Sequence, residues 1–446
     1  DVICVAMVGG TREVTCTPPT TAFSGNLQLL SHPSYEKFFI AHGAQFELAI
    51  WNNIMTPRYL WPVVTPENFE CTMAMAFTMA LPHALEKALK ALGSKVVKDM
   101  AGHRTMLQMC KPRKYIDGKP TWWGDEARMQ RLMEYCKADV LATQELYALL
   151  RPLSAQERKV WLLDQKINQF GVGVDLVSAK NLAKIAGEET ERLDRRMMLA
   201  TSGRVKTCNA SVALTTFLNE LGVDAGSVAK AEVAGALQKG LPQLARQVLL
   251  LRQEAAKSSV AKIKSMISVA SADGRARGVH QYHGANTGRW AGRLIQMQNM
   301  PKGTISPDEV ANIIEYVNSK GYGAVQIDNN FGSPMGVISS CLRGLIKAKD
   351  GKTLIAMDFA QIESRIRCWM AGDEKLLEVY RGDGKVYEHT AAGIYRVNVA
   401  DVTKEQRVVG KTADLALGYG GGVKAFQKIA KNTGAEITDE KADEIK

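Results

Sequence analysis

The sequence predicts a multidomain α/β protein, on three observations. Its 446 residues are too many for one ordinary core, since single cores stop growing at about 250–300 residues. Strand-like apolar runs and helical patterns mix up to about residue 150, whereas residues 153–272 have an almost wholly helical pattern. A third region opens with Gly and Arg and contains an apolar run that ends on an acid. We therefore expect domains over about 1–150, 151–285 and 286–446.

Composition and charge narrow the class of protein. Lys and Arg number 57 against 46 Asp and Glu, for a formal net charge of +11. This excess suits a polyanionic partner, although proteins that never touch nucleic acid also show it. The hydrophobic content of 46% supports globular folding. No apolar run reaches the roughly 20 residues that span a membrane, so we expect no membrane association, and we find no signal peptide.

The eight cysteines show no spacing that indicates a metal site or a disulfide. They are scattered along the chain, at Cys4, Cys16, Cys71, Cys110, Cys136, Cys208, Cys341 and Cys368. No pair has Cys-x-x-Cys spacing, so the sequence predicts neither a zinc ribbon nor a redox dithiol. We interpret them as buried reduced thiols in a cytoplasmic protein.

Several segments predict single elements. Residues 126–150 form a helix with an apolar stripe, and residues 241–270 form a long helix dense in Arg and Lys. Both ends of the chain look like interrupted elements, a strand at residues 2–8 and a helix from about residue 437. We therefore expect a fragment of a longer protein.

The Gly- and Arg-rich segment at residues 273–293 has the composition of a nucleic-acid contact. Gly lets the backbone approach a ligand closely, and Arg can fork onto phosphates or base edges. Tyr282 and Trp290 add aromatic faces. A basic surface hairpin explains the same composition about equally well.

Residues 352–358 have the pattern of an apolar strand that ends on Asp358, with helical periodicity from Gln361 onward. An acid at the carboxyl end of a core strand is a favoured ligand for Mg²⁺, because the strand is rigid and the ion prefers hard oxygen donors. The alternative is an Asp that caps a helix, and this pattern alone favours the alternative.

A second cluster lies on a predicted helix over residues 403–417, whose start carries Thr403 and Gln406 as a capping box. Four residues recur at every fourth position and share one face: Arg407, Lys411, Leu415 and Tyr419. The cations could bind a triphosphate while the later residues face sugar and base. The alternative is a solvated face with Lys411 paired to Asp414, and spacing alone favours it.

Together these segments resemble family A DNA polymerases, the bacterial polymerase I type. Residues 358–365 (DFAQIESR) resemble motif A, and the series from Arg407 to Gly420 resembles motif B on the fingers helix. Residues 287–289 with 298–301 resemble the segment that holds the primer–template. The basic helix resembles the thumb, and the long segment after residue 301 resembles bacteriophage members.

The resemblance implies Mg²⁺-dependent, template-directed addition of deoxynucleotides to a primer 3′ end. Asp358 and the Phe359 carbonyl would hold Mg²⁺ on the triphosphate, with a second ion at the primer 3′-oxygen. Arg407 and Lys411 would neutralise the triphosphate, and Lys411 could also protonate the leaving pyrophosphate.

Further residues are assigned by the same resemblance. Glu363 would be a steric gate under the sugar, Tyr419 would occupy the template-side pocket, and Gln361 and Ile362 would line the nucleotide site. Leu415 stands where an aromatic residue is usual, which predicts weaker nucleotide binding or altered sugar discrimination. Arg289 would read the minor groove, and the other expected DNA contacts are Gln298, Asn299, Arg252, Lys257, Lys262, Arg365 and Gly420.

The resemblance extends upstream to a 3′→5′ proofreading exonuclease. Residues 42–47 resemble its second motif, and Tyr135-x-x-x-Asp139 resembles its third. Asp139 would bind a metal and Tyr135 would orient the attacking water. Gly43 stands where Asn is usual and Glu47 where Asp is usual. The extra methylene displaces a carboxylate in a two-metal site, so the resemblance leaves open whether the exonuclease acts.

The implied architecture is an RNase H-like exonuclease domain, a helical thumb, and the partial palm and fingers of a right-hand polymerase. The second palm carboxylate is expected beyond Lys446 and the first exonuclease motif before Asp1. The chain should therefore bind primer–template DNA and deoxynucleoside triphosphates far better than it turns them over. We expect a monomer in the cytoplasm, that of the host if a phage encodes it. A protein active only as a nuclease, and an inert nucleic-acid-binding accessory protein, stay open as alternatives.

Overall fold

The structure is a computed structural model. It describes residues 2, 4–8, 14–17, 39–97, 99–256, 259–285, 287–319, 322–418, 420–433 and 437–445. The chain divides into a first unit, residues 1–353, and a second unit, residues 354–446. No helix in these described ranges is long and apolar enough to cross a bilayer. The domain boundaries expected near residues 150 and 285 stay predictions.

The strands of the first unit are short and form five small sheets within the described residues. They are β1 (Val5–Val8), β2 (Val14–Thr17), β3 (Phe39–Ala41), β4 (Phe69–Cys71), β5 (Lys114–Ile116), β6 (Lys119–Thr121), β7 (Val172–Val174), β8 (Arg275–Ala276), β9 (His280–Gln281), β10 (Ala291–Gly292) and β11 (Ile346–Lys347). β1 pairs antiparallel with β2, with Ala6 opposite Cys16, whereas β3 runs parallel to β4. β11, β7 and β8 form a three-stranded antiparallel sheet. The described strands before residue 150 pair only in twos, so the RNase H-like fold stays a prediction.

Helices make up most of the first unit. They are α1 (Gln45–Ile50), α2 (Thr56–Tyr59), α3 (Thr72–Thr78), α4 (Leu85–Ala91), α5 (Met100–Met109), α6 (Glu126–Leu149), α7 (Ala155–Phe170), α8 (Leu176–Ala200), α9 (Ser211–Glu220), α10 (Lys230–Leu237), α11 (Gln243–Ala255), α12 (Ser259–Val269), α13 (Pro307–Asn318), α14 (Ala324–Phe331) and α15 (Pro334–Cys341). The helix predicted over residues 126–150 is confirmed as α6. The single helix predicted over residues 241–270 is wrong, because the structure has α11 and α12 there as separate helices.

The two largest hydrophobic clusters among the described residues of the first unit lie around α1 and α8. An aromatic core around α1 contains Trp51, whose ring meets Trp61 edge-on at 4.7 Å. Trp161 of α7 belongs to the same core. A larger aliphatic core lies around α8, which buries Leu182 and Leu193 on its inner face. The burial of these large apolar side chains supplies most of the stabilisation, since each contributes about 1.5–3 kcal/mol.

A buried carboxyl on α7 predicts how the stability depends on pH. Asp164 is 2% exposed, and its Oδ2 accepts hydrogen bonds from Gln165 and Asn168, both at 3.1 Å. Its Oδ1 has no hydrogen-bond partner in the structure. Burial raises the pKa of Asp164 to about 7, because the ionised form loses its hydration.

The Asp164 carboxyl should make the folded protein less stable as pH rises from about 4 to about 7. Between these pH values the Asp164 carboxyl is ionised in the unfolded chain but still protonated in the folded chain. Each rise in pH therefore favours unfolding. We expect Asp164→Asn, which mimics the protonated acid, to be more stable than the wild type at pH 8 by about 4 kcal/mol, and nearly equal at pH 4. Urea unfolding at both pH values measures this difference. If the difference in unfolding free energy between the two proteins were the same at pH 4 and pH 8, the prediction would be contradicted.

The second unit is helical in its described residues. Its helices are α16 (Ile362–Ala371), α17 (Glu374–Arg381), α18 (Val386–Tyr395), α19 (Lys404–Leu417), α20 (Val423–Thr433) and α21 (Asp439–Ile445). Its core contains Val409, Ala413 and Ala416 of α19, and Phe426 of α20. The capping box predicted for α19 is confirmed: Gln406 N donates to Thr403 Oγ1 at 3.2 Å, and Thr403 N donates to Gln406 Oε1 at 3.0 Å.

The strand predicted at residues 352–358 is wrong. The structure gives this segment no regular secondary structure, and Ile355 and Met357 are 79% and 90% exposed. An apolar run becomes a strand only where a neighbouring strand pairs with its backbone and other groups cover its side chains. No described residue pairs with this segment.

Candidate nucleotide and nucleic-acid site

Asp358 and Phe359 lie in this exposed segment, just before α16. Both are open to solvent, Phe359 at 79% exposure. A carboxylate and a backbone carbonyl are hard oxygen donors, which fits Mg²⁺, an ion that keeps several water ligands. Within the described residues no group of three His, Cys, Asp or Glu ligands surrounds Asp358. The residues present therefore fit part of a magnesium site.

Gln361 precedes α16 in a strained backbone conformation. Its φ of 52° and ψ of 35° lie in the left-handed region, and its carbonyl accepts from Arg365 N at 3.0 Å. For a residue with a side chain this conformation costs roughly 1–2 kcal/mol. Such strain persists only where the surroundings enforce it, and it occurs often at functional sites. Glu363 and Ile362, in the first turn of α16, are exposed.

The α19 face presents the predicted cations, but they differ in their partners. Arg407 Nε is 2.7 Å from Glu388 Oε1 of α18, and its guanidinium lies 5.4 Å from the centre of the Tyr387 ring. Lys411 is half-buried and forms no ion pair in the part of the chain that the structure describes. Leu415, one turn further, is also half-buried. Lys411 is therefore the cation of this face that is available to an anionic ligand.

The Lys411–Asp414 pair considered from spacing is absent, because Asp414 has other partners. Its Oδ1 accepts from Ser364 Oγ at 2.9 Å and pairs with Arg367 Nη2. Arg367 Nη1 also donates to the Asp414 carbonyl at 2.7 Å. We call these three residues the α16–α19 clamp. It joins the helix after Asp358 to the helix with Lys411. A Cβ at Gly418 would collide with Arg367.

Sequence analysis missed the clamp. Ser364 and Arg367 are one turn apart on α16, an ordinary helical spacing, and Asp414 lies some fifty residues away. A buried acid on the inner face of α19 was the available signal, since a buried carboxylate requires a partner.

The predicted DNA-binding residues have diverse surroundings. Arg289, Gln298 and Asn299 are exposed in the first unit, and Gly420, with φ of 72°, is exposed in the second. Arg365 donates to the Ala360 carbonyl at 3.0 Å. The remaining DNA-binding and nucleotide predictions are Arg252, Lys262, Lys257 and Tyr419.

The guanidinium of Arg252 is used within the protein, where it donates to Asn209 Oδ1 at 2.6 Å and to the Val228 carbonyl at 3.4 Å. Lys262 is half-buried on α12. Lys257 and Tyr419 lie outside the described residues, so their predicted roles stay predictions.

The exonuclease candidates lie on two helices of the first unit. Tyr135 of α6 is buried, and burial, together with the Asp139 carboxylate one turn later, raises the pKa of Tyr135. Glu47 of α1 has an inaccessible Oε2 without a hydrogen-bond partner in the structure, and burial raises the pKa of Glu47 to about 7. No described hydrogen bond or ion pair joins Glu47 to Asp139. Gly43 has φ of 96°, a conformation that disfavours the usual Asn.

A comparison of the sequence with protein families gives one match over much of the chain. The model of DNA polymerase family A matches residues 177–446, more than half of the chain. The chain belongs to DNA polymerase family A. The resemblance inferred from the three segments in order is thereby confirmed.

The chain is similar to a bacteriophage member and to bacterial members of this family. The DNA polymerase of Bacillus phage SP02 is 34% identical over 387 residues, covering 83% of this chain and 58% of that protein. The chain therefore spans about three-fifths of the length of this relative. DNA polymerase I of Aquifex aeolicus is 32% identical over 102 residues, covering 23% of this chain and 18% of its own.

The fold also matches a solved polymerase structure. The POL domain of Pol1 from M. smegmatis, in complex with DNA primer-template and dNTP, superposes with a TM-score of 0.58. The match covers 98% of this chain and 67% of that one, at 15% identity. At this identity the likeness shows the fold alone.

Proposed function

We propose that this family A chain carries the nucleotide-capturing part of a template-directed DNA polymerase, which adds deoxynucleotides to a primer 3′ end. The observation that carries the proposal is the α16–α19 clamp. It holds the helix after Asp358 against a capped helix whose Lys411 has no ion-pair partner in the described residues. An exposed acid that precedes one helix, and a cation on the second helix joined to it, are what a metal-bound triphosphate requires.

Each residue of the site has a proposed role. Asp358 and the Phe359 carbonyl would hold Mg²⁺, which when bound neutralises phosphate charge and favours ionisation of a primer hydroxyl. Lys411 would contact the triphosphate and donate a proton to the leaving pyrophosphate, and Arg407 would exchange Glu388 for phosphate oxygens. Glu363 would exclude a 2′-hydroxyl.

The DNA partner is proposed from the exposed polar residues of the first unit. Arg289, Gln298 and Asn299 are exposed and can hydrogen-bond to base edges or phosphates. We propose primer–template DNA and deoxynucleoside triphosphates as the ligands. The thumb, palm and fingers assignments at residues 151–285 and 286–446 belong to the same proposal.

A second candidate activity is 3′→5′ exonuclease in the first region. The placement of Tyr135 one turn before Asp139 on α6 favours it, because a tyrosine beside a metal-binding carboxylate can orient water. The raised pKa of Glu47 means that a bound cation would have to displace its proton.

Two matched variants separate these functions. Asp358→Asn and Asp139→Asn each remove one carboxylate charge with little change in shape. In the complete reading frame that carries this sequence, Asp358→Asn should abolish primer extension and leave 3′-end degradation intact. Asp139→Asn should do the reverse if the exonuclease acts. Extension that survives Asp358→Asn would refute the polymerase site. DNA binding with no turnover in either protein would support an accessory role.

Leu415 predicts altered handling of the nucleotide sugar. An aromatic ring offers more contact area and a stacking face than Leu does. Leu415→Phe is therefore expected to tighten deoxynucleotide binding roughly threefold to tenfold, about 0.5–1.5 kcal/mol. Titration of nucleotide into the primer–template complex measures the affinity, with a dideoxynucleotide as the second ligand. Unchanged affinity for both ligands would contradict the role of Leu415.

A further inference from the structure

Three cysteines that are far apart in the sequence meet beside β1. Cys4 precedes β1, Cys16 lies on β2, and Cys136 lies on α6. Their Sγ atoms all lie within 4.8 Å of one another, and Cys4 Sγ donates to Cys136 Sγ at 3.7 Å. Sequence spacing predicted no zinc ribbon, because no two cysteines have Cys-x-x-Cys spacing. The fold brings the thiols together regardless.

The spacing of the sulfur atoms is that of ligands around one ion. A tetrahedral zinc site with Zn–S bonds of about 2.3 Å has S···S edges of about 3.8 Å. The Cys4–Cys136 distance of 3.7 Å matches one such edge. A disulfide requires about 2.05 Å between sulfurs, so these atoms would have to approach considerably closer to form one.

The cluster is not wholly buried. Cys16 is buried, whereas Cys4 and Cys136 are half-buried. Cys136 lies on the same helix as Tyr135 and Asp139, which are not part of the cluster.

We propose that Cys4, Cys16 and Cys136 form a three-thiolate site for a soft divalent cation of the zinc class, with water as the fourth ligand. Binding would replace thiol protons by the ion, so up to three protons leave as three S–metal bonds form. The ion would fasten the β1–β2 pair to α6. The polymerase site does not use this cluster, so the proposal stands independently of the proposed function.

Co²⁺ is the probe, because thiolate coordination gives it an intense near-ultraviolet band and tetrahedral geometry gives it visible bands. The reduced chain should bind one equivalent with both signatures, and Zn²⁺ should displace it. Cys4→Ser, Cys16→Ser and Cys136→Ser should each weaken binding by more than about a hundredfold, since even loss of an outer-shell partner costs about 10- to 100-fold. Cys110→Ser, which changes an exposed cysteine outside the cluster, is the matched control and should bind as the wild type does.

A second measurement needs no variant. Zn²⁺ should protect Cys4, Cys16 and Cys136 of the native chain from iodoacetamide and leave Cys110 reactive, as mapped by peptide mass spectrometry. Three results would overturn the proposal. The first is that Co²⁺ gives no thiolate band, and the second is that the bands persist in all three cluster variants. The third is that Zn²⁺ does not change the alkylation of the three cysteines.

Discussion

Lys411→Ala is expected to weaken capture of a deoxynucleoside triphosphate by the primer–template complex about 30- to 150-fold. A charge-assisted hydrogen bond to phosphate contributes about 2–3 kcal/mol. Lys411 has no ion-pair partner among the described residues, so its removal leaves no buried charge behind and should not unfold the chain. The affinity loss would therefore report on the ligand alone.

The measurement is nucleotide titration into the complex of protein with primer–template, read by fluorescence of a labelled template. Lys375→Ala is the matched control, because Lys375 is an exposed lysine of the same unit, on α17. It should bind nucleotide as the wild type does. Equal affinities for the two variants would remove Lys411 from the proposed site, and a lower melting temperature of Lys411→Ala would give it a structural role instead.

Gly410→Ala is expected to destabilise the second unit by about 1–2 kcal/mol net. A Cβ at this position would lie 2.9 Å from Ala391 N and would collide with the Tyr387 carbonyl, both in the backbone of α18. Backbone atoms of a packed helix cannot move aside singly, so α18 and α19 would have to separate. Overpacking of this kind costs about 1–3 kcal/mol, occasionally more. Here it must also exceed the gain of nearly 1 kcal/mol that alanine brings to a helix.

Gly393→Ala provides a control with the opposite expected sign. Gly393 lies within α18, and a Cβ there would meet no atom within 4 Å. Alanine should therefore stabilise this helix by up to about 1 kcal/mol. Urea unfolding followed by circular dichroism compares the two variants with the wild type. If Gly410→Ala is as stable as Gly393→Ala, the close approach of α18 and α19 is not a requirement of the fold.

Local patterns were enough to predict α19 and its site face. The capping box of Thr403 and Gln406 and the spacing of Arg407 and Lys411 involve neighbours within one turn, which a helix brings together whatever the rest of the chain does. The same holds for α6, which its own periodicity predicts. It also holds for the family, because the order of the motifs can be read directly from the sequence. The segment at residues 352–358 failed because a strand depends on a partner that its own residues do not specify.

By itself, then, the sequence determined the family and the capped helix with Lys411. Only the tertiary structure decided that Asp414 pairs with Arg367 and not with Lys411, and that Cys4, Cys16 and Cys136 meet at one point. The physical reason is how far apart in the sequence the contacting residues lie. Contacts within a helical turn follow from backbone geometry, whereas contacts between residues 47 or 132 positions apart follow from which apolar faces bury against each other.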